Sequence, residues 1–156
     1  MAFYFIKKCY NLLGNGVNMI NVYFACSIRG GRDKINNYIS IANYINKYAN
    51  ILDKHVYDSN LSNTGEKIYP NEIYERDINW IKKCDILIAE VTNPSLGVGY
   101  EISYAERLNK RIICVCEKNA NLSAMIKGNE NIEIIYYEKV DELKNYFLNL
   151  FKNIVI

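Results

Sequence analysis

The chain has 156 residues, half of them hydrophobic, enough for one globular domain with its own core and incompatible with a disordered or collagen-like chain. Nineteen basic against seventeen acidic residues leave a net charge of +2, which offers no basic field for holding a nucleic-acid backbone, so any nucleotide bound is a small one. Five cysteines, Cys9, Cys26, Cys84, Cys114 and Cys116, are an odd count without framework spacing and suit reduced, buried thiols in a cytoplasmic protein.

Met1 to Ile20 starts apolar but is broken by Lys7, Lys8 and Gly14-Asn15-Gly16, too interrupted to span a bilayer. Its basic pair follows the apolar residues, the reverse of a signal peptide, so residues 1–20 are expected to form an extension before a domain at 21–156, with Met19 an alternative start. Asn21 to Ser27 is a short apolar run suited to a buried parallel strand. Asp33 can cap a helix reaching about Asn50, with Ile35, Ile39, Ala42, Ile45 and Ala49 near helical period. Ile51 to Val56 reads as a second strand. Asp58 to Pro70 is polar and aperiodic, a surface loop of the kind that covers a site, and a helix follows to about Lys83.

Cys84 to Val91 is the clearest strand; a loop over Thr92 to Gly99 and a helix from Tyr100 to Asn109 follow. Arg111 to Glu117 supplies strand four, Leu122 to Ile126 a short helix, Asn131 to Tyr137 strand five and Val140 to Asn153 a terminal amphipathic helix. This alternation predicts a single α/β domain: a doubly wound, mostly parallel five-stranded sheet with helices on both faces, Rossmann-like or flavodoxin-like. Ligands of such sheets bind beyond the carboxyl ends of the strands, so chemistry is expected in the loops after Ser27, Val56, Val91 and Glu117.

Ser27-Ile28-Arg29-Gly30-Gly31-Arg32 offers a hydroxyl, guanidinium groups and two glycines before a helix, good chemistry for a phosphate, although an ordinary surface turn has the same composition. It lacks the ending of a Walker loop, and Gly97-Val98-Gly99 does not complete a dinucleotide fingerprint because Ile102 replaces the third glycine. Asp77 shares a helical stripe with Ile73, Ile81 and Cys84, and Glu101 with Tyr104, Ala105 and Leu108. A single inward acid is more often a structural ion pair or cap, but two at one sheet edge fit retaining glycoside cleavage, one as nucleophile and one as general acid. Glu101, placed in a first helical turn, is expected to be kept ionised by the helix dipole, and Asp77 to be raised by its apolar setting. His55 could touch a ligand or be a satisfied core residue, and Cys26, without a histidine to activate it, reads as a small hydrophobe. As the single histidine, His55 cannot build a His-based metal site, and Cys114-x-Cys116 has no partner pair, so no metal is expected. Tyr23 is singled out because its strand leads into the proposed site.

Four segments carry a resemblance: Val22 to Arg32, Tyr74-Glu-Arg-Asp-Ile-Asn-Trp80, Ala89-Glu-Val-Thr-Asn-Pro-Ser-Leu-Gly-Val-Gly-Tyr-Glu101, and Leu122-Ser-Ala-Met-Ile-Lys-Gly128. They resemble the 2'-deoxynucleoside 5'-phosphate N-hydrolases of the nucleoside 2-deoxyribosyltransferase superfamily from about Val22 to the C-terminal helix. The resemblance implies cleavage of the N-glycosidic bond of a deoxynucleoside 5'-monophosphate, with no cofactor and no nucleic-acid or membrane partner. It implies Glu101 as nucleophile, Asp77 as the acid assisting base departure, and Tyr23 orienting the carboxylates. Ser27, Arg29, Gly30 and Ser95 match phosphate contacts, Gly97 and Gly99 the sugar loop, and His55 a residue near the base. Ile28, Gly31 and Met125 join the substrate-binding set, and Ser123 matches a phosphate contact from the neighbouring subunit of a homodimer. Cys26 stands where a smaller residue is usual, and the extension and the Asp58 to Pro70 loop align poorly. A deoxyribosyltransferase sharing the Glu101 intermediate, and a nucleotide-binding module without turnover, are the competing readings.

Overall fold

Apolar segments rich in Ile and Val pair into one parallel sheet in the computed structural model, which describes residues 19–154 apart from Gly30, Arg32 and Asn63. The elements in chain order are β1 (Asn21–Ala25), α1 (Ile35–Ile45), β2 (Asn50–Ile51), α2 (Pro70–Lys83), β3 (Ile86–Glu90) and α3 (Leu96–Arg107). They continue as β4 (Arg111–Glu117), α4 (Ala124–Lys127), β5 (Ile132–Tyr137) and α5 (Leu143–Asn153), with 3-10 turns at Lys54–Tyr57 and Val140–Glu142. Strand order is β2-β1-β3-β4-β5, with every pairing parallel.

The central strands read as continuous apolar runs because both of their faces are covered. Val22 and Phe24 of β1, with Ile86 and Ile88 of β3, join a core containing Tyr38 and Ile41 of α1 and Phe147 and Phe151 of α5. Tyr23 and Ala25, with Leu87 and Ala89, join a second core containing Ile81 of α2 and Ile102 and Ala105 of α3. The chain leaving β1 therefore enters a helix on one face and the chain leaving β3 enters a helix on the other. Between those neighbouring strands lies the switch point at which open α/β sheets bind ligands. Among the described residues, no helix is long and apolar enough to cross a membrane.

Several boundaries differ from expectation, each for a local reason. Asp33 does not cap α1: its Oδ1 accepts from Asn93 Nδ2, and Lys34 occupies the cap position. The helix ends at Ile45, not near Asn50, because Tyr48 N and Ala49 N both donate to Ile45 O, a turn that tucks Ala49 into the core. The expected second strand shrinks to Asn50–Ile51. Where the ladder would continue, Phe24 N donates 2.8 Å to the fully buried Asp53 Oδ1, and the freed chain turns into Lys54–Tyr57. Helix α3 starts at Leu96 instead of Tyr100, because Ser95 caps it by accepting from Val98 N at 3.4 Å, and Gly97 and Gly99 become helical. Helix α2 starts with Pro70, which needs no N–H partner there, and ends with Lys82 and Lys83 beside the negative end of its dipole.

Ile88 lies on a central strand and is fully buried between layers. Ile88→Ala is expected to lower unfolding free energy by about 2–5 kcal/mol, read as a lower denaturant midpoint with an unchanged slope.

Candidate active site

A cavity of about 620 Å³ opens beyond the carboxyl ends of β1 and β3. Cys26, Ile28 and Arg29 reach it from the end of β1, His55 from the 3-10 turn, and Gly65 and Glu66 from the polar loop. Helix α2 contributes Ile73, Tyr74, Asp77 and Ile81; Pro94 to Val98, Tyr100 and Glu101 come from the start of α3 and the residues before it. Helical spacing thus brings the two acids of the sequence into one space, and the loop expected to cover a site does wall it. Tyr74 and Tyr100 are exposed and pack edge to face with ring centroids 6.2 Å apart.

Tyr23, 1% exposed on β1, donates from its hydroxyl to Glu101 Oε1 at 2.9 Å, fastening a helix acid to the central sheet. Burial pushes the Glu101 carboxyl up to about 8; the Asp77 charge adds to the rise and the Tyr23 hydrogen bond opposes it. The expectation that the helix dipole keeps Glu101 ionised is therefore corrected. The early start of α3 puts Glu101 in its second turn, where the dipole has faded and desolvation dominates. Asp77 is also raised by burial, with Arg76 opposing, so the expected pairing of one ordinary acid with one raised acid becomes a pair raised together. Burial and the neighbouring carboxylates likewise lift the Tyr23 phenol, keeping it a donor.

The phosphate candidates divide. Ser27 is fully buried and does not line the cavity, and its Oγ has no hydrogen-bond partner among the described residues. Arg29 is exposed and lines the cavity; a Cβ on Gly65, whose φ is +81°, would come within 3.4 Å of its Nε, so glycine lets the loop approach that guanidinium. Gly31, with φ +120°, shapes the turn without lining the cavity, and Gly30 lies outside the described residues. Ser95 and Gly97 line the cavity, whereas Gly99 does not. Ser123 and Met125 are also absent from its wall. Both are exposed, Ser123 accepting from Met125 N at the start of α4.

His55 lines the cavity and stacks on Trp80, ring centroids 5.5 Å apart. Sequence reasoning missed the groups gathered around it. Arg76 lies 4.7 Å over the Trp80 ring, contacts His55 Nε2 at 3.1 Å and pairs with both Glu66 and Asp77. Adjacent residues on a helix point in different directions, so the position of Arg76 next to Asp77 did not signal a shared site. Two buried acids at strand ends were also missed: Asp53, which serves the β1 backbone, and Glu90, whose Oε1 accepts from the Tyr137 hydroxyl at 2.9 Å and from Thr92.

The family model for nucleoside 2-deoxyribosyltransferase matches residues 22–150. A 5-hydroxymethyl-dUMP N-hydrolase of Danio rerio is 41% identical over 143 residues, covering 86% of this chain and 100% of the relative. One of the same name from Tetraodon nigroviridis is 36% identical over 140 residues, covering 86% and 99%. Among solved structures, the Clostridium botulinum CMP N-glycosidase BcmB superposes with a TM-score of 0.60 at 24% identity, covering 84% of this chain and 98% of the other, a likeness of fold.

A carboxyl raised from 4.5 to about 8 holds its proton in the folded state at pH values where the unfolded chain has lost it. Folding stability should therefore fall as pH rises from about 4.5 and level off near 8, relative to a side chain that cannot ionise. Glu101→Gln is expected to be more stable than wild type by an amount that grows over that window to on the order of 3–5 kcal/mol. Thermal melts of both proteins at several pH values check this.

Proposed function

Because the chain belongs to the nucleoside 2-deoxyribosyltransferase family, we propose that it hydrolyses the N-glycosidic bond of 2'-deoxynucleoside 5'-monophosphates. The products are a free base and 2-deoxyribose 5-phosphate. One observation carries this reading: two half-buried carboxyls, Glu101 and Asp77, share a cavity that Arg29 also lines, two residues beyond the buried hydroxyl of Ser27. The N-hydrolase names of the relatives support it.

In this scheme the Glu101 carboxylate attacks the anomeric carbon as the bond to the base breaks, and the departing nitrogen takes its proton from Asp77. Water then opens the glycosyl ester while Asp77 accepts its proton. Tyr23 orients Glu101 and favours its ionised form through the bond to Oε1. Arg29, Ser95 and the backbone at Ile28 receive the 5'-phosphate, with Ser27 behind them; Gly97 flanks the sugar, and His55 lies against the base. A deoxysugar lacks the electron-withdrawing 2'-hydroxyl, so its cationic transition state needs little beyond a placed carboxylate and an acid, and no cofactor takes part. Ser123 and Met125, exposed and outside the cavity, would complete the phosphate end of a second copy's site in a homodimer. The compartment proposed is the cytoplasm, with the nucleus as a second.

Incubating the protein with dGMP, GMP and deoxyguanosine and assaying released base tests the reading. The deoxynucleotide should be cleaved and the other two far more slowly, and Arg29→Ala should cost about ten- to a hundredfold in kcat/KM for dGMP alone. Equal turnover of deoxyguanosine, with transfer of its sugar to an added base, would favour a nucleoside transferase. A second expected outcome concerns pH: the reaction needs one ionised and one protonated carboxyl, so kcat/KM should fall as pH rises past about 8 and the pair loses its last proton, and Tyr23→Phe should move that fall to higher pH. Glu101→Gln should abolish turnover while nucleotide binding persists, checked by burst kinetics and calorimetry.

A further inference from the structure

Glu66 ends on a cation to which the hydrolytic scheme gives no task. Its two carboxylate oxygens accept from Arg76 Nη1 at 2.9 Å and Nη2 at 2.7 Å, a two-point pairing. The same guanidinium donates from Nε to Asp77 Oδ1 at 3.0 Å, with Nη2 2.9 Å from that oxygen. Nη2 also lies 3.1 Å from His55 Nε2. The three ion-paired side chains are between 16% and 25% exposed, so water screens them only partly. One arginine therefore joins the polar loop, the turn after β2 and the acid on α2.

We propose that the Glu66–Arg76 pair is a positioning device for Asp77, tying the polar loop to that acid and keeping it a paired carboxylate in the nucleotide-free site, so that acid assistance waits until nucleotide binding rearranges the pair. The inference rests on the hydrolytic reading for its catalytic meaning. The groups facing Asp77 are Arg76 on its own helix, Glu66 from the loop, Glu101 of α3, Tyr23 of β1 and Asp53 from the stretch after β2, and His55 lies against Arg76 and Glu66. Arg76 is the cation in this set. It opposes the rise at Asp77, while Glu101 has only the Tyr23 hydrogen bond to oppose its own. Paired with a guanidinium 2.9 Å away, Asp77 is the acid placed to carry the resting charge, and Glu101, whose partner is the Tyr23 hydroxyl, the acid placed to hold the proton, opposite to the arrangement that attack requires. One proton moving from Glu101 to Asp77 makes the site competent, with no change in net charge.

Carboxyl carbon NMR of the full, nucleotide-free chain reads this directly, with Asp77→Asn assigning the resonance. Asp77 should titrate at higher pH in Arg76→Gln than in wild type, and Arg76→Lys should return it part of the way. Glu66→Gln discriminates by sign. Loss of the anchor for Arg76 moves the Asp77 midpoint upward, whereas simple removal of a negative charge moves it downward, because the Glu66 charge itself raises Asp77. An unmoved midpoint in Arg76→Gln, or a downward one in Glu66→Gln, overturns the proposal; if Arg76→Gln does not fold, the other two variants decide. Assay of dGMP hydrolysis on the same samples separates the two ideas. Wild-type turnover with unmoved resonances sinks only the positioning device, and shifted resonances without wild-type turnover sink the hydrolytic reading.

Discussion

The hydrogen bond from Tyr23 to Glu101 is the constraint on which the site depends. Tyr23 can reach the helix because β1 and β3 are neighbours whose following helices lie on opposite faces of the sheet, leaving a crevice between them. Its ring fills the α2/α3 core while its hydroxyl meets the carboxylate, so side-chain packing and acid placement are one event. The bond also limits, without cancelling, the rise that desolvation imposes on Glu101. A half-buried acid is thereby retained at a cost to stability.

Around that bond the charges are arranged unevenly. Asp77 faces a guanidinium that is itself held by Glu66 and stacked on Trp80, whereas Glu101 faces a phenol and another acid. Two carboxyls of similar chemistry are set apart by their neighbours, the means by which protein environments assign different protonation to like groups. The polar loop takes part in this through one side chain, so its position and the electrostatics of the acid are linked.

Periodicity made much of this visible. Both acids occupy helical stripes with apolar residues, and the strand runs of β1, β3 and β4 were apparent because burial on two faces removes polar positions. What stayed hidden depended on contacts distant in sequence. Asp53 replaces a backbone acceptor for Phe24, and the short β2 follows from that single bond, which no local pattern in Ile51 to Val56 announces. Glu66 and Arg76 are ten residues apart, one in the polar loop and the other in the second turn of α2, and meet only when the loop folds back on the helix. The early start of α3 turned on Ser95 as cap, a signal present in the sequence but overshadowed by the glycines that follow.

The brevity of β2 also governs how copies of this chain can meet. A sheet edge with a long row of unpaired backbone groups invites strand addition, the route to open-ended aggregates. Here the edge strand beside the cavity is two residues long and gives way at once to a 3-10 turn, with the Asp53 carboxylate already occupying Phe24 N behind it. That edge offers no template for an incoming strand. Association on that side must be built from side chains, which confines it to a surface of definite shape.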